Sequence, residues 1–92
     1  MDQIVNMAAK TTYMYDGEFK LPITIMCSSM YNASNGSQHS DRPHPMFMNV
    51  PGLKIVTPSN PQDAYSLLRA SISEDNPVIF FTDRSLFYNK QE

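Results

Sequence analysis

Apolar and polar positions along the chain fall into blocks of two different periods, and the alternation of those blocks predicts an α/β fold. Ile4, Val5, Ala8, Ala9 and Thr12 recur at the i, i+1, i+4, i+5 spacing of one helical face. The face is narrow and rich in alanine, which suits close packing on a sheet. No N-cap residue precedes it, so the helix expected over residues 1–14 begins as though cut. Tyr15-Asp-Gly-Glu18 is its predicted terminating turn, with Gly17 able to take a left-handed conformation. Residues 21–27 form a continuous apolar run with β-branched side chains, which predicts a strand covered on both faces and opened by Pro22. Residues 28–41 are polar and hold Asn32, Ser34, Asn35, Gly36 and Ser37, a loop of the length that is usually functional or disordered.

The second half has clearer punctuation. Residues 43–50 predict a short helical turn that buries Met46, Phe47 and Val50. Pro51-Gly52 is a turn signal ahead of a buried strand over residues 53–57. From Asn60 a helix follows: Asn60 is the N-cap, Pro61 takes the first helical position and Asp63 favours the positive end of the dipole. Ala64, Leu67, Leu68, Ser71 and Ile72 form its apolar face, and Glu74-Asp-Asn-Pro77 stops it. Residues 78–82 read as another buried strand. Strand, helix and strand with short connections make a βαβ unit, whose strands should be parallel and joined right-handedly. Lys90-Gln-Glu92 is expected to be a loose polar tail. The whole is a partial three-layer parallel sheet with flanking helices, and it leaves sheet edges and apolar faces open. A piece of a larger domain, or a subunit that needs a neighbour, is the expectation.

Composition narrows the function classes. Ninety-two residues make one small domain at most, burying roughly 65% of the unfolded surface. With 41% hydrophobic and 17% charged residues, the chain lacks the charge and polarity of a disordered segment. Seven Lys and Arg and a net charge of -2 give no basic footprint for nucleic acid. One cysteine, Cys27, excludes an internal disulfide and any multi-cysteine zinc site; it reads as a small buried hydrophobe at a strand end. The apolar runs fall far short of the roughly 20 residues a membrane span needs. The start, Met1-Asp-Gln-Ile-Val-Asn, lacks the pattern of a signal peptide. A soluble chain of the cytoplasm, or of the mitochondrial matrix if eukaryotic, is expected.

The candidate chemistry lies around His39, in a polar loop ahead of the strand–helix unit. His44, five residues on, reads as a solvated loop residue. His39, Asp41 and His44 together are only a weak zinc signal.

Several ordered blocks at fixed spacing carry a resemblance. They are Asp2-Gln-Ile-Val-Asn6 with Ala8-Ala9-Lys10, Pro22-Ile23, Gln38-His39-Ser40, Pro51-Gly-Leu-Lys-Ile-Val56, Pro58, Asp63-Ala64 and Asn76-Pro-Val78. In these the chain resembles the β subunit of the thiamine-diphosphate-dependent E1 component of 2-oxoacid dehydrogenase complexes, of pyruvate, branched-chain and acetoin type. The resemblance covers Met1 to about Tyr88. It implies the C-terminal portion, residues 1–92, of a single transketolase-like pyrimidine-binding domain. It also implies packing on an E1 α subunit, with a second β subunit completing a heterotetramer. The implied reaction is oxidative decarboxylation of a 2-oxoacid with transfer of the acyl unit to a lipoyl-bearing E2 partner. Thiamine diphosphate would act as electron sink, and its Mg2+ would be held mainly by the α subunit.

The resemblance further implies that His39 is the active-site histidine of the Gln-His-Ser motif, handling protons or charge beside the cofactor. It implies a monovalent cation, commonly potassium, on main-chain carbonyls of Ile23, Ser71, Glu74 and Asn76. The bland reading of those positions is an ordinary helix C-terminus whose carbonyls meet water. Departures from the family are specific. The stretch from Met26 to Asn35, glycine-rich in the family, has no glycine before Gly36. The glutamate that activates the aminopyrimidine and the aromatic residue that stacks on it fall upstream of this segment in the family, and the C-terminal domain falls beyond it. A non-catalytic remnant or assembly module, and another transketolase-like thiamine enzyme, are the alternative readings.

Overall fold

The run Val-Ile-Phe-Phe, residues 78–81, has no polar side chain, and every one of the four is at most 1% exposed. The computed structural model, which describes residues 1–29 and 34–88, places this run in the central strand of a three-stranded parallel sheet. Six strands and helices position the site, in the order α1 (Thr11–Met14), β1 (Thr24–Ser29), α2 (His44–Phe47), β2 (Lys54–Val56), α3 (Pro61–Ile72) and β3 (Val78–Asp83). The sheet order is β1-β3-β2. β1 pairs with β3 from Thr24 opposite Val78 to Ser29 opposite Asp83, and β2 from Lys54 opposite Val78 to Val56 opposite Phe80. The predicted α/β class and parallel β2-α3-β3 unit are both present.

Alternation along β3 divides the core between two faces. Ile79 and Phe81 point to one face, where they cluster with Phe47 and are covered by Ile4, Val5, Cys27, Leu53 and Ile55. Val78 and Phe80 point to the other, against which α3 packs. α3 forms as its caps predict: Asn60 is extended, and its side-chain oxygen accepts a hydrogen bond from the Asp63 N–H at 2.8 Å. Only Ala64, Leu68 and Ser71 of its expected face are covered; Leu67 and Ile72 stay exposed. The helix follows the β2–β3 crossover, so its contact stripe is narrower than the apolar pattern.

The same geometry corrects the reading of the first strand. Residues 21–27 do not make a strand covered on both faces: β1 begins at Thr24, has one neighbour, and leaves Met26 57% exposed. Pro22 lies ahead of it at the centre of a tight turn, with the Ile23 N–H bonded to the Leu21 carbonyl at 2.9 Å. β2 likewise spans only Lys54–Val56 at an edge, with Lys54 exposed. In the turn over residues 43–50 Phe47 is buried, Val50 half-buried and Met46 exposed, so the expected burial of Met46 does not occur. The expectations for Met30 to Ala33 and for the tail from Lys90 lie outside the described residues.

The N-terminal segment is helical but not one α-helix. A π turn over Gln3–Met7 passes into a 3₁₀ turn over Ala8–Lys10 and then α1. The Ala8 N–H is shared between the carbonyls of Gln3 and Ile4, which marks the widened turn. The backbone of Ala9 comes very close to the Pro51-Gly52 turn. A Cβ on Gly52 would sit 1.9 Å from the Ala9 carbonyl oxygen, and Gly52 has φ +89°. Gly17 takes the expected positive φ in the turn after α1, beside Asp16 at φ 53°.

Gly52→Ala should therefore combine left-handed strain with a backbone clash and cost about 2–4 kcal/mol. Gly36→Ala, at φ +84° with no atom within 4 Å of the added Cβ, should cost only about 1 kcal/mol. Urea midpoints of the two variants decide it; equal shifts would remove the close approach as the reason for Gly52.

Candidate functional site

Parallel strands present their carboxyl ends on one side of the sheet, and loops leaving them build crevices there. In this chain Cys27 and Phe81 are register partners in β1 and β3. The chain returning from β1 lays Gln38, His39, Asp41 and Pro43 over them. With Ser28 these residues line an open cavity of about 290 Å³. Of the sequence-derived candidates, the structure therefore places His39 in a cavity, which the Gln38 amide and the Asp41 carboxylate also line.

The turn carrying His39 has an internal fastening. Gly36 takes φ +84°, which lets the chain reverse, and the Asn35 N–H donates to Ser40 Oγ at 2.8 Å. The serine of the Gln-His-Ser motif thus acts as a clasp on its own turn. His39 itself is exposed, and among the described residues nothing hydrogen-bonds to it.

His44 is not the solvated residue its sequence context predicts. It is half-buried at the start of α2, and its ring lies on Phe81 with centroids 4.0 Å apart and planes at 38°. Phe47 meets the same ring at 6.5 Å and 40°. The physical signal was available: His44 and Phe47 are three residues apart in a predicted helical turn, and that spacing puts them on one face. Among the described residues no three His, Cys, Asp or Glu side chains are grouped to hold a metal ion. Cys27 is half-buried against the Phe81 cluster, and burial pushes its thiol pKa up, toward the unreactive form.

Ile23, Ser71, Glu74 and Asn76 lie in the stretches where α3 ends and just ahead of β1 and β3. The Val78 N–H donates to the Ile23 carbonyl at 2.9 Å, the Glu74 N–H to the Ser71 carbonyl at 3.2 Å, and the Leu21 N–H to the Asp75 carbonyl at 3.0 Å. Lys20 pairs with Asp75 at 2.8 Å, which raises the lysine pKa. The Ile23 carbonyl, bonded once, keeps a second lone pair as a hard oxygen donor, whereas the Ser71 carbonyl accepts from both the Ser73 and the Glu74 N–H. The Glu74 side chain is otherwise occupied: it takes Lys54 as an ion-pair partner and accepts from the Asn76 side chain at 3.4 Å.

The Lys54 hydrogen bond holds the Glu74 carboxyl below its ordinary value of 4.5. A carboxyl depressed in the folded state stabilises the fold above its unfolded pKa, and that contribution disappears as pH falls through the folded value. Glu74→Gln should therefore be less stable than the parent at pH 7 and converge with it as pH falls below 4.5 and through the folded value. Melting curves across that range check this; a gap that persists unchanged at low pH would dissociate the effect from the ion pair.

Comparison with known proteins puts this geometry in a family. The pyrimidine-binding domain of transketolase matches residues 1–90. The β subunit of the Bacillus subtilis acetoin:2,6-dichlorophenolindophenol oxidoreductase is 41% identical over 91 residues, 99% of this chain and 27% of its own length. The mitochondrial pyruvate dehydrogenase E1 β subunit of Caenorhabditis elegans is 40% identical over 87 residues, 95% of this chain and 25% of that protein. The 2-oxoisovalerate dehydrogenase β subunit of Pseudomonas aeruginosa is 41% identical over 86 residues, with 94% and 25% coverage. The chain spans about a quarter of the length of these curated relatives. The chain, matched along nearly its whole length, belongs to the transketolase pyrimidine-binding-domain family.

Proposed function

We propose that this chain is part of the β subunit of a 2-oxoacid dehydrogenase E1, where it supplies the His39 wall of a thiamine diphosphate site shared with an α subunit. The observation that carries the reading is the placing of His39 with Gln38, Ser28 and Asp41 in one cavity at the carboxyl end of the sheet. Relatives named as β subunits of pyruvate, branched-chain and acetoin enzymes support it. At about 290 Å³ the cavity is just below the roughly 300–1,000 Å³ of a complete small-molecule site. It suits part of a cofactor rather than all of one. Its polar groups fit a heteroaromatic ring edge, and Phe81, Pro43 and Cys27 give it apolar walls.

The cofactor, when bound, supplies the electron sink for decarboxylation. The chain's own task is proton handling and orientation. An imidazole exposed in this cavity can donate or accept a proton near neutral pH. The Asn35–Ser40 clasp fixes the turn that presents it. Main-chain oxygens of Ile23, Ser71, Glu74 and Asn76 fit a potassium ion at the far end of the sheet, and Mg2+ belongs with the α subunit. On this reading residues 1–92 are the C-terminal portion of one pyrimidine-binding domain. The partners are an E1 α subunit, a second β subunit and the lipoyl-bearing E2 that takes the acyl group. The compartment is the cytoplasm or the mitochondrial matrix; among the described residues no helix is long and apolar enough to cross a membrane.

Co-expression with a matching α subunit, size-exclusion chromatography and titration with thiamine diphosphate and magnesium test the proposal. Co-elution and cofactor-dependent thermal stabilisation are expected. His39→Ala should keep the assembly and lower turnover by about 10²–10⁴-fold, the range of a lost acid–base group. Absence of association, or undiminished turnover in His39→Ala, would reduce the resemblance to ancestry.

A further inference from the structure

His39 stands on a turn with an internal clasp, Asn35 to Ser40. A contact with the central strand comes further along the chain. His44 packs tilted against Phe81 at 4.0 Å between ring centroids, and Phe81 is fixed in the central strand at 1% exposure. Prolines flank the histidine on both sides, Pro43 and Pro45. They restrict its backbone, so the ring contact and the path of the chain are coupled. The Met46 N–H donates to the Pro43 carbonyl at 3.0 Å, which closes the first turn of α2 around the same residue. Pro43 and Phe81 are themselves walls of the cavity that His39 lines. One ring therefore braces two walls of the cavity and the end of the segment that carries its histidine.

We propose that His44 is a positioning residue: its stack on Phe81 anchors the 34–43 segment over the sheet and so fixes where His39 stands. The anchoring stands on the geometry alone; its consequence for proton transfer rests on the role given to His39 above. The contact is aromatic packing, so a phenyl ring of similar shape should replace it, whereas a methyl group should not.

Amide hydrogen exchange of the full chain, without cofactor, reads the anchoring directly. In His44→Ala, peptides covering residues 34–43 should exchange roughly three- to tenfold faster, the size of one ring pair, while peptides covering 78–83 keep their protection. His44→Phe should restore the parental rate in the loop. Cys27, the single thiol and a lining residue of the same cavity, gives a second readout: its alkylation by iodoacetamide should accelerate in His44→Ala and return in His44→Phe. Unchanged exchange and alkylation in His44→Ala would overturn the proposal. So would a rise shared equally by 34–43 and 78–83, which is general loss of stability, or failure of the phenyl ring to rescue. In the assembly with an α subunit, His44→Ala should lower kcat and His44→Phe restore it. If the exchange results hold but His39→Ala turns over normally, the anchoring stands and the role of His39 falls.

Discussion

A central strand with neighbours on both edges and packing on both faces has no direction left in which a polar side chain could meet water. β3 is under that constraint over Val78–Phe80, while Phe81, with β1 on one edge only, is buried by packing; each part of the molecule is placed by one of these four. Val78 and Phe80 call for the α3 face, while Ile79 and Phe81 call for Phe47 and the N-terminal helical segment. Its backbone sets the register of both other strands. Where the packing stops, the side chains turn polar: Thr82 gives its carbonyl to the buried Ser29 hydroxyl at 3.1 Å, and Asp83 accepts from the Ser85 N–H at 2.9 Å. That change of character, between Phe81 and Thr82, is where the sheet ends as a core and begins as the floor of a site.

Sequence pattern is legible where local chemistry decides the structure alone. α3 is such a case, because an Asn cap, a proline at the first position and an acid in the first turn act within one turn of chain. β3 is another, since four adjacent apolar residues tolerate no exposed face. β1 was misread because its apolar run states only what could be covered; whether a neighbour covers it is a property of the sheet, and Met26 faces outward on an edge. The irregular N-terminal helix was invisible for a related reason. Its widened turn accompanies the approach of Ala9 to Gly52, more than forty positions away.

The site shows the same division. Finding His39 depended on a motif, for no local force distinguishes a solvated histidine from a catalytic one. Ser40 looked like part of that motif and serves as a clasp on the turn. His44 looked like loop and is a core contact, because proximity to Phe81 is created by the return of the chain over the sheet. Gly36 takes a positive φ in the turn just ahead of Gln38 and His39, which line the same cavity as Cys27 and Phe81.

Exposure links stability to chemistry in this chain. Its radius of gyration is 14.5 Å, against about 12 Å for a compact chain of this length, and its thinnest dimension is 15 Å. A slab that thin covers both faces of its central strand but not of β1, where Met26 is exposed. Tyr13, Met14, Tyr15, Phe19 and Met26 all remain exposed. His39 is exposed by the same geometry. Proton transfer in a site shared between chains gains from exclusion of water, and apolar surface gains from being covered. A partner seated on this slab would satisfy both demands in one step, so on the proposed reading assembly and formation of a working site are one event.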